Sequence, residues 1–213
     1  MGGCGTRDSL FLAETYGKAS SLMRYILPDN ELLFIDGERT YPMGEDGQRR
    51  WMELAIIDGA GATVFHSYFN PGIPVDGRFA KKGLTDDILM RAPSFESQWL
   101  LIRELLRCKH VVAWWMEMEQ SFFPEQLTFC KKLHCAQARF SPLVGDYSIR
   151  FGNYKSVAMW DAFDMLQLQQ PPGHRHRATT DVQAMRLIWS WLEKTQAHNL
   201  LSISSPGDPH LGF

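Results

Sequence analysis

Cysteine is scarce in this chain, four in 213 residues, and Cys4, Cys108, Cys130 and Cys135 lack the close, even spacing of a secreted disulfide framework. Free thiols in a reducing compartment, the cytoplasm, are the expectation. Cys130, His134 and Cys135 lack the fourth ligand and C-x2-C pair of a structural zinc site, so they read as ordinary core neighbours. No apolar run approaches the ~20 residues of a membrane-spanning helix, and no leader pattern is present, which points away from membranes. Met1-Gly2-Gly3-Cys4 fits an acylation pattern, but without a basic cluster beside it the segment reads as a flexible terminus. Charge of one sign is missing too: 22 Lys and Arg face 24 Asp and Glu, a net charge of -2 with pI 6.4. That balance excludes a broad polyanion binder and confines any contact with nucleic acid to a local site at a strand end. The absence of internal repeats excludes a solenoid.

What is present is core-forming sequence, 45% hydrophobic and 22% charged, enough for one domain with extensions. Residues 1–30 read as an N-terminal extension with a modest helical pattern from Leu10 to Ile26, 31–198 as the functional domain, and 199–213 as a flexible tail. Leu32 to Asp36 is a candidate strand, Trp51 to Ile57 a second and Thr63 to Phe69 a third, joined through Gly44–Gly47 and Gly59–Gly61 into an antiparallel meander. Phe95, Trp99, Ile102 and Leu106 recur at helical spacing, which predicts a helix over Ser94 to Leu106. Val111 to Trp115 reads as a buried strand, followed by helical sequence through Leu133. Between Ala136 and Ser156, Pro142, Gly145 and Gly152 predict irregular chain, with another strand or strand end near Val157 to Asp161. A last helix is expected over Thr180 to Gln196, with Asp181 in its first turn. Three strands followed by alternating helix and strand predict an α/β fold, a mixed β-sheet with a three-stranded antiparallel meander plus parallel strands, flanked by helices, as in a ribonuclease H-like core.

Two motifs carry chemistry. Leu32-Leu33-Phe34-Ile35 ends in Asp36-Gly37-Glu38, placing two acids at a strand end. Far downstream, His176 and Asp181 are separated by four residues. Carboxylates from a strand and a distant helix can converge on divalent metal, with a histidine able to deprotonate a water.

In motif order, from about Leu32 to Leu192, the chain resembles the DEDDh (DnaQ-like) 3'-5' exonucleases. Asp36 and Glu38 match the family's strand-terminal Asp-x-Glu, with Thr40 where a threonine commonly follows. Lys82-Gly83-Leu84-Thr85-Asp86, with Pro93 and Phe95 beyond it, is similar to a His-Gly-Ile-Thr stretch, lysine replacing histidine. The second motif, Val-Ala-His-Asn-x-x-Phe-Asp, has its counterpart in Val112-Ala113-Trp114-Trp115-Met116-Glu117-Met118-Glu119. Here Glu119 stands at the metal-binding aspartate, and Trp114-Trp115 replaces His-Asn. His176 and Asp181 carry His-x4-Asp, and Asp161 resembles an aspartate at the end of the preceding strand.

The resemblance implies two Mg2+ or Mn2+ ions about 4 Å apart, which stabilise charge on attacking and leaving oxygens; hard oxygen ligands suit both ions. Asp36 would bridge them, with Glu38, Asp181 and Glu119 completing the sites, and His176 would act as general base. Thr40, Lys82, Arg175 and Arg177 are candidate substrate contacts, and Trp114 and Trp115 are candidates for stacking a terminal base. The expected activity is 3'-5' exonucleolytic hydrolysis of single-stranded or frayed DNA or RNA, releasing nucleoside monophosphates. Two alternatives stay open: a weakly active or inactive module that binds nucleic-acid ends or a protein partner, and a phosphodiesterase acting on short oligonucleotides. Homodimerisation is a further expectation that the resemblance carries.

Overall fold

The computed structural model describes residues 29–40, 48–123 and 125–204, with side chains through residue 195. The helix expected over 10–26, the acylation pattern with Cys4, the loop at 44–47 and the tail beyond 204 lie outside the described residues.

Strands β1 (Leu32–Arg39), β2 (Trp51–Asp58) and β3 (Thr63–Tyr68) form the antiparallel meander. Strands β4 (His110–Ala113) and β5 (Lys132–Cys135) extend it as parallel neighbours, giving the order β3-β2-β1-β4-β5. The central strands read as continuous apolar runs because both of their faces are covered. Phe34, Ala55, Ile57 and Val112 face a cluster built from α5 (Ala136–Val144), α6 (Met159–Met165) and α7 (Ala178–Ser204). Leu33, Ile35, Leu54, Ile56 and Val111 face α3 (Phe95–Leu106) and α4 (Met116–Phe122). Helix α3 starts where the sequence predicts, with the Ser94 hydroxyl accepting from the Ser97 N–H, a normal N-cap. Two short helices, α1 (Gly77–Ala80) and α2 (Asp86–Leu89), lie in the connection that precedes it. This mixed sheet with helices on both faces is the ribonuclease H-like architecture.

The differences from the sequence-based expectation lie after β4. The stretch read as helical through Leu133 breaks into α4, a 3-10 turn at Gln126–Phe129 and β5; four residues are too few for periodicity to reveal a strand. The region read as irregular contains α5, ended by Gly145 at φ 78, and a hairpin of β6 (Tyr147–Ser148) and β7 (Asn153–Tyr154). A left-handed glycine just past a helix is a stop signal for that helix, not a sign of irregular chain. Val157 to Asp161, read as a strand or strand end, instead leads into α6, with Asp161 exposed in its first turn. Cys130 and Cys135 carry free thiols, whereas Cys108 is disulfide-bonded, against expectation. No helix among the described residues is long and apolar enough to cross a membrane.

Candidate metal centre

Side chains alternate along a strand, so Asp36 and Glu38 project to the face of β1 that also carries Phe34, and α7 packs across β1 and β2 on that face. The first turn of α7 delivers Asp181. Ligand oxygens of Asp36, Glu38 and Asp181 all lie within 4.8 Å of one another. Burial, then the charges of Asp181, Glu38 and Glu119, push the Asp36 carboxyl well above its usual range. Burial and the Asp181 charge raise Glu38 to about 7. Burial also raises Asp181 to about 7, against hydrogen bonds from the His176 N–H at 2.9 Å and Trp160 Nε1 at 3.2 Å. Three crowded carboxyls that resist ionisation on their own are a hard-oxygen donor set suited to a divalent cation, whose charge removes the repulsion.

The glycine of Asp36-Gly37-Glu38 has a local cause. The Trp51 ring of β2 lies so close that a Cβ on Gly37 would sit 2.3 Å from its Cζ3 atom. Trp51 stacks on Phe95 at 5.0 Å and packs on Phe123 at 4.4 Å between ring centroids, so the ring has no room to withdraw.

His176 and Asp181 are joined through the backbone. His176 has φ 62, and its N–H donates to Asp181 Oδ1, which fixes the loop against the carboxylate. The residue is only partly covered. Burial, followed by the charges of Lys82 and Arg175, holds its pKa below the ordinary histidine value. Lys82 is half-buried, and its charge favours the ionised forms of Glu38 and Asp181.

Several other expected site residues occupy different roles. Arg177 is committed to the protein interior: Nε donates to Glu53 Oε2 at 2.8 Å, Nη2 to Glu53 Oε1 at 3.1 Å and to the Tyr68 hydroxyl at 2.7 Å, and Nη1 to the Lys82 carbonyl at 2.8 Å. Those bonds make it a clamp between the histidine loop and the lysine turn, with little donor capacity left for substrate. Arg175 forms a bidentate pair with Asp164 at 2.6 and 2.8 Å and lies 4.4 Å from the Trp160 ring centroid. The Thr40 hydroxyl is buried and accepts from the Arg50 N–H, holding the β1–β2 pair. Trp114 is core: it is 9% exposed, its indole donates to the Val157 carbonyl and its ring packs on Phe140. Trp115 is 46% exposed and opens, beside Gln120, Phe151 and Tyr154, into a groove of 1020 Å³.

Glu119 does not join the three clustered acids. Its Oε1 accepts from Arg39 Nη2 at 2.5 Å, and the pair is buried. Arg39 and Glu53 are the residues that sequence reasoning missed. Glu53 is wholly buried on β2, and beyond Arg177 it accepts from His66 at 2.9 Å and from the Ala178 N–H at 3.2 Å. Burial pushes its carboxyl up, but the hydrogen bonds from His66 and Arg177 outweigh burial and keep it below its usual value. A lone glutamate inside the apolar run Trp51-Met52-Glu53-Leu54-Ala55-Ile56-Ile57 was the available signal, since buried acids are rare unless paired. For Arg39, one residue beyond the motif, no comparable signal exists.

No family model matches the chain, and no curated protein matches it by sequence. Solved structures do match. A 3'-exonuclease described in the 3'-end specific recognition of histone mRNA stem-loop superposes with TM-score 0.54 at 12% identity, over 78% of this chain and 82% of that one. The nuclease domain of 3'hExo, a DEDDh family member bound to rAMP, gives 0.52 at 16%, over 78% and 92%. The Neurospora crassa Pan2 catalytic unit gives 0.51 at 10% identity, over 87% of this chain and 31% of that larger one. With its five-stranded mixed sheet and flanking helices, this chain has the ribonuclease H-like fold of the DEDDh 3'-exonucleases.

Proposed function

We propose that the protein is a metal-dependent 3'-5' exonuclease acting on single-stranded or frayed ends of DNA or RNA and releasing nucleoside monophosphates. The observation that carries this reading is the trio Asp36, Glu38 and Asp181, with carboxylate oxygens within 4.8 Å of one another, on a fold shared with 3'-exonucleases. A neighbour bound to rAMP supports a nucleotide-sized ligand of the same class.

Mg2+ or Mn2+ is the cation such carboxylates suit, held by Asp36, Glu38 and Asp181. When bound, a divalent ion lowers the pKa of a ligated water and offsets charge developing on the phosphate. The chain's own residues do the rest. His176, whose pKa is held below the ordinary histidine value by burial and by the charges of Lys82 and Arg175, accepts the proton of the attacking water on a ring nitrogen. Lys82 counters the phosphate charge from the flank of the trio. Trp115 offers an exposed ring face for a base, while Arg177 keeps the histidine loop and the Lys82 turn in register.

The test is incubation of the purified protein with 5'-labelled single-stranded DNA and RNA of matched sequence, in Mg2+, Mn2+ or EDTA, beside an Asp36→Ala, Glu38→Ala variant. A metal-dependent ladder shortening from the 3' end, absent from the variant, is expected. Intact DNA and RNA in the presence of bound Mn2+ would overturn the reading. The engagement of Glu119 by Arg39 favours one competitor, an end-binding module without hydrolysis. Should that module also have lost its metal site, Mn2+ would give no thermal stabilisation, whereas a working centre gains stability from a ligand that binds only the folded state.

A further inference from the structure

Glu119 and Arg39 form a closed unit beside the carboxylate trio. Glu119 is 7% exposed and Arg39 9%. The Arg39 guanidinium lies 3.9 Å from the Phe122 ring centroid and 4.6 Å from that of Trp51, caged by aromatics from β2 and α4. Trp51 can take that place only because residue 37 has no Cβ. One Glu119 oxygen is taken by Arg39; the other, Oε2, is buried without a hydrogen-bond partner among the described residues, as is Arg39 Nη1. The unit remains within electrostatic reach of the trio, because the charges of Glu119 and Arg39 act on Asp36 with opposite signs.

We propose that Arg39 stands in for a second divalent ion: it neutralises Glu119, and the protein binds one divalent cation per chain, on Asp36, Glu38 and Asp181. The inference rests on the reading of that trio as a metal site. Charge balance supports it. Four carboxylates, Asp36, Glu38, Asp181 and Glu119, are matched by one divalent ion together with the cations Arg39 and Lys82, whereas a second divalent ion would leave the substrate-free centre with excess positive charge. Geometry supports it as well. A guanidinium held between two rings and bonded to a buried carboxylate is preorganised, and an incoming cation would have to separate a buried ion pair to reach Glu119. Arg39 is thus a positioning residue that fixes Glu119 and supplies fixed positive charge where the resemblance calls for metal.

The deciding measurement is the number of Mn2+ ions bound per chain, by calorimetric titration and by electron paramagnetic resonance of free Mn2+, with and without saturating AMP. One ion per chain in both conditions is the expected result. Two ions, in either condition, would overturn the proposal. No bound Mn2+ would instead defeat the reading of the trio as a metal centre, a failure distinguishable from the first. The Arg39→Gln variant is expected to take up a second ion as Glu119 is released, and a count that stays at one would show that Arg39 is not what excludes it. If that variant fails to fold, the double variant Arg39→Met, Glu119→Met removes both charges together; it is expected to keep one ion at an affinity within about 10-fold of the parent, and loss of that ion would overturn the proposal.

Discussion

Glu53 and Arg177, 124 residues apart in sequence, meet in a two-pronged ion pair at 2.8 and 3.1 Å whose carboxylate is completely buried. The pair ties the centre of β2 to the loop that holds His176, and the same guanidinium reaches the Lys82 carbonyl. Gly83, at φ 84, makes that approach feasible: a Cβ there would lie 3.2 Å from Arg177 Nη1.

Removing one partner of that pair should be costly. Glu53→Ala leaves the Arg177 guanidinium half-buried without its counter-charge, and a loss of about 3–5 kcal/mol is expected, the range for breaking a buried pair. Urea unfolding of the variant measures it, and Mn2+ affinity should fall in parallel because Asp181 loses its support. A loss below 1 kcal/mol would mean that the pair does not brace the loop; that threshold is ~1 kcal/mol, the size of an ordinary hydrogen bond.

The carboxylate trio sets a pH dependence whose sign follows from the direction of its shifts. Glu38 and Asp181 titrate near 7 when folded, against ordinary values of about 4 in an unfolded chain. An acid with a raised folded pKa holds its proton more tightly when folded, so its contribution to stability is full at low pH and declines as pH rises from about 4 to above 7. His134, held down to about 4 by burial, contributes with the opposite sign, so the trio's share is read against the Asp181→Asn variant: in EDTA the parent should lose melting temperature relative to that variant across the window, and Mn2+ should remove the loss. Asp181→Asn keeps an oxygen for Trp160 and His176 while deleting the charge, and is expected to stabilise the metal-free protein at pH 8 by about 1–2 kcal/mol, roughly one pKa unit's worth of relieved repulsion. A difference between parent and Asp181→Asn in EDTA that fails to grow with pH would contradict this account.

Gly37→Ala tests the contact with Trp51. The added methyl would meet Trp51 Cζ3 at 2.3 Å and the Glu53 carbonyl at 3.0 Å, so strand or ring must shift. Overpacking of this kind costs about 1–3 kcal/mol. Because Trp51 is one wall of the Arg39 cage, the near-ultraviolet circular dichroism of the tryptophans should change as well. An unaltered spectrum with unaltered stability would show that the ring can move freely.

The two adjacent tryptophans should separate cleanly. Trp114→Ala empties a core site and is expected to cost about 3–5 kcal/mol. Trp115→Ala removes an exposed ring and should leave stability within about 0.5 kcal/mol of the parent. If Trp115 stacks a base, worth ~1–3 kcal/mol, KM for an oligonucleotide should rise about 10-fold with little change in kcat. An unchanged KM would remove Trp115 from the substrate surface.

The sequence by itself determined the elements whose signal is local. The apolar run closing on Asp36-Gly37-Glu38, the meander behind it, the period of Phe95, Ile102 and Leu106, and Asp181 in the first turn of the last helix all follow from short-range periodicity and turn chemistry, because burial of one face imposes a repeat that can be read residue by residue. Short β5 and the helix at Met159–Met165 escaped that reading, since four to seven residues carry too little periodicity to separate strand from helix. Only the tertiary structure decided what the charged residues do. Glu119 and Arg39 are 80 residues apart, and Glu53 and Arg177 are 124 apart. An acid is a metal ligand or an ion-pair partner according to which cation folding brings within reach, and that choice has no local pattern because Coulomb attraction acts between groups whose separation exists only once the strands and helices have packed.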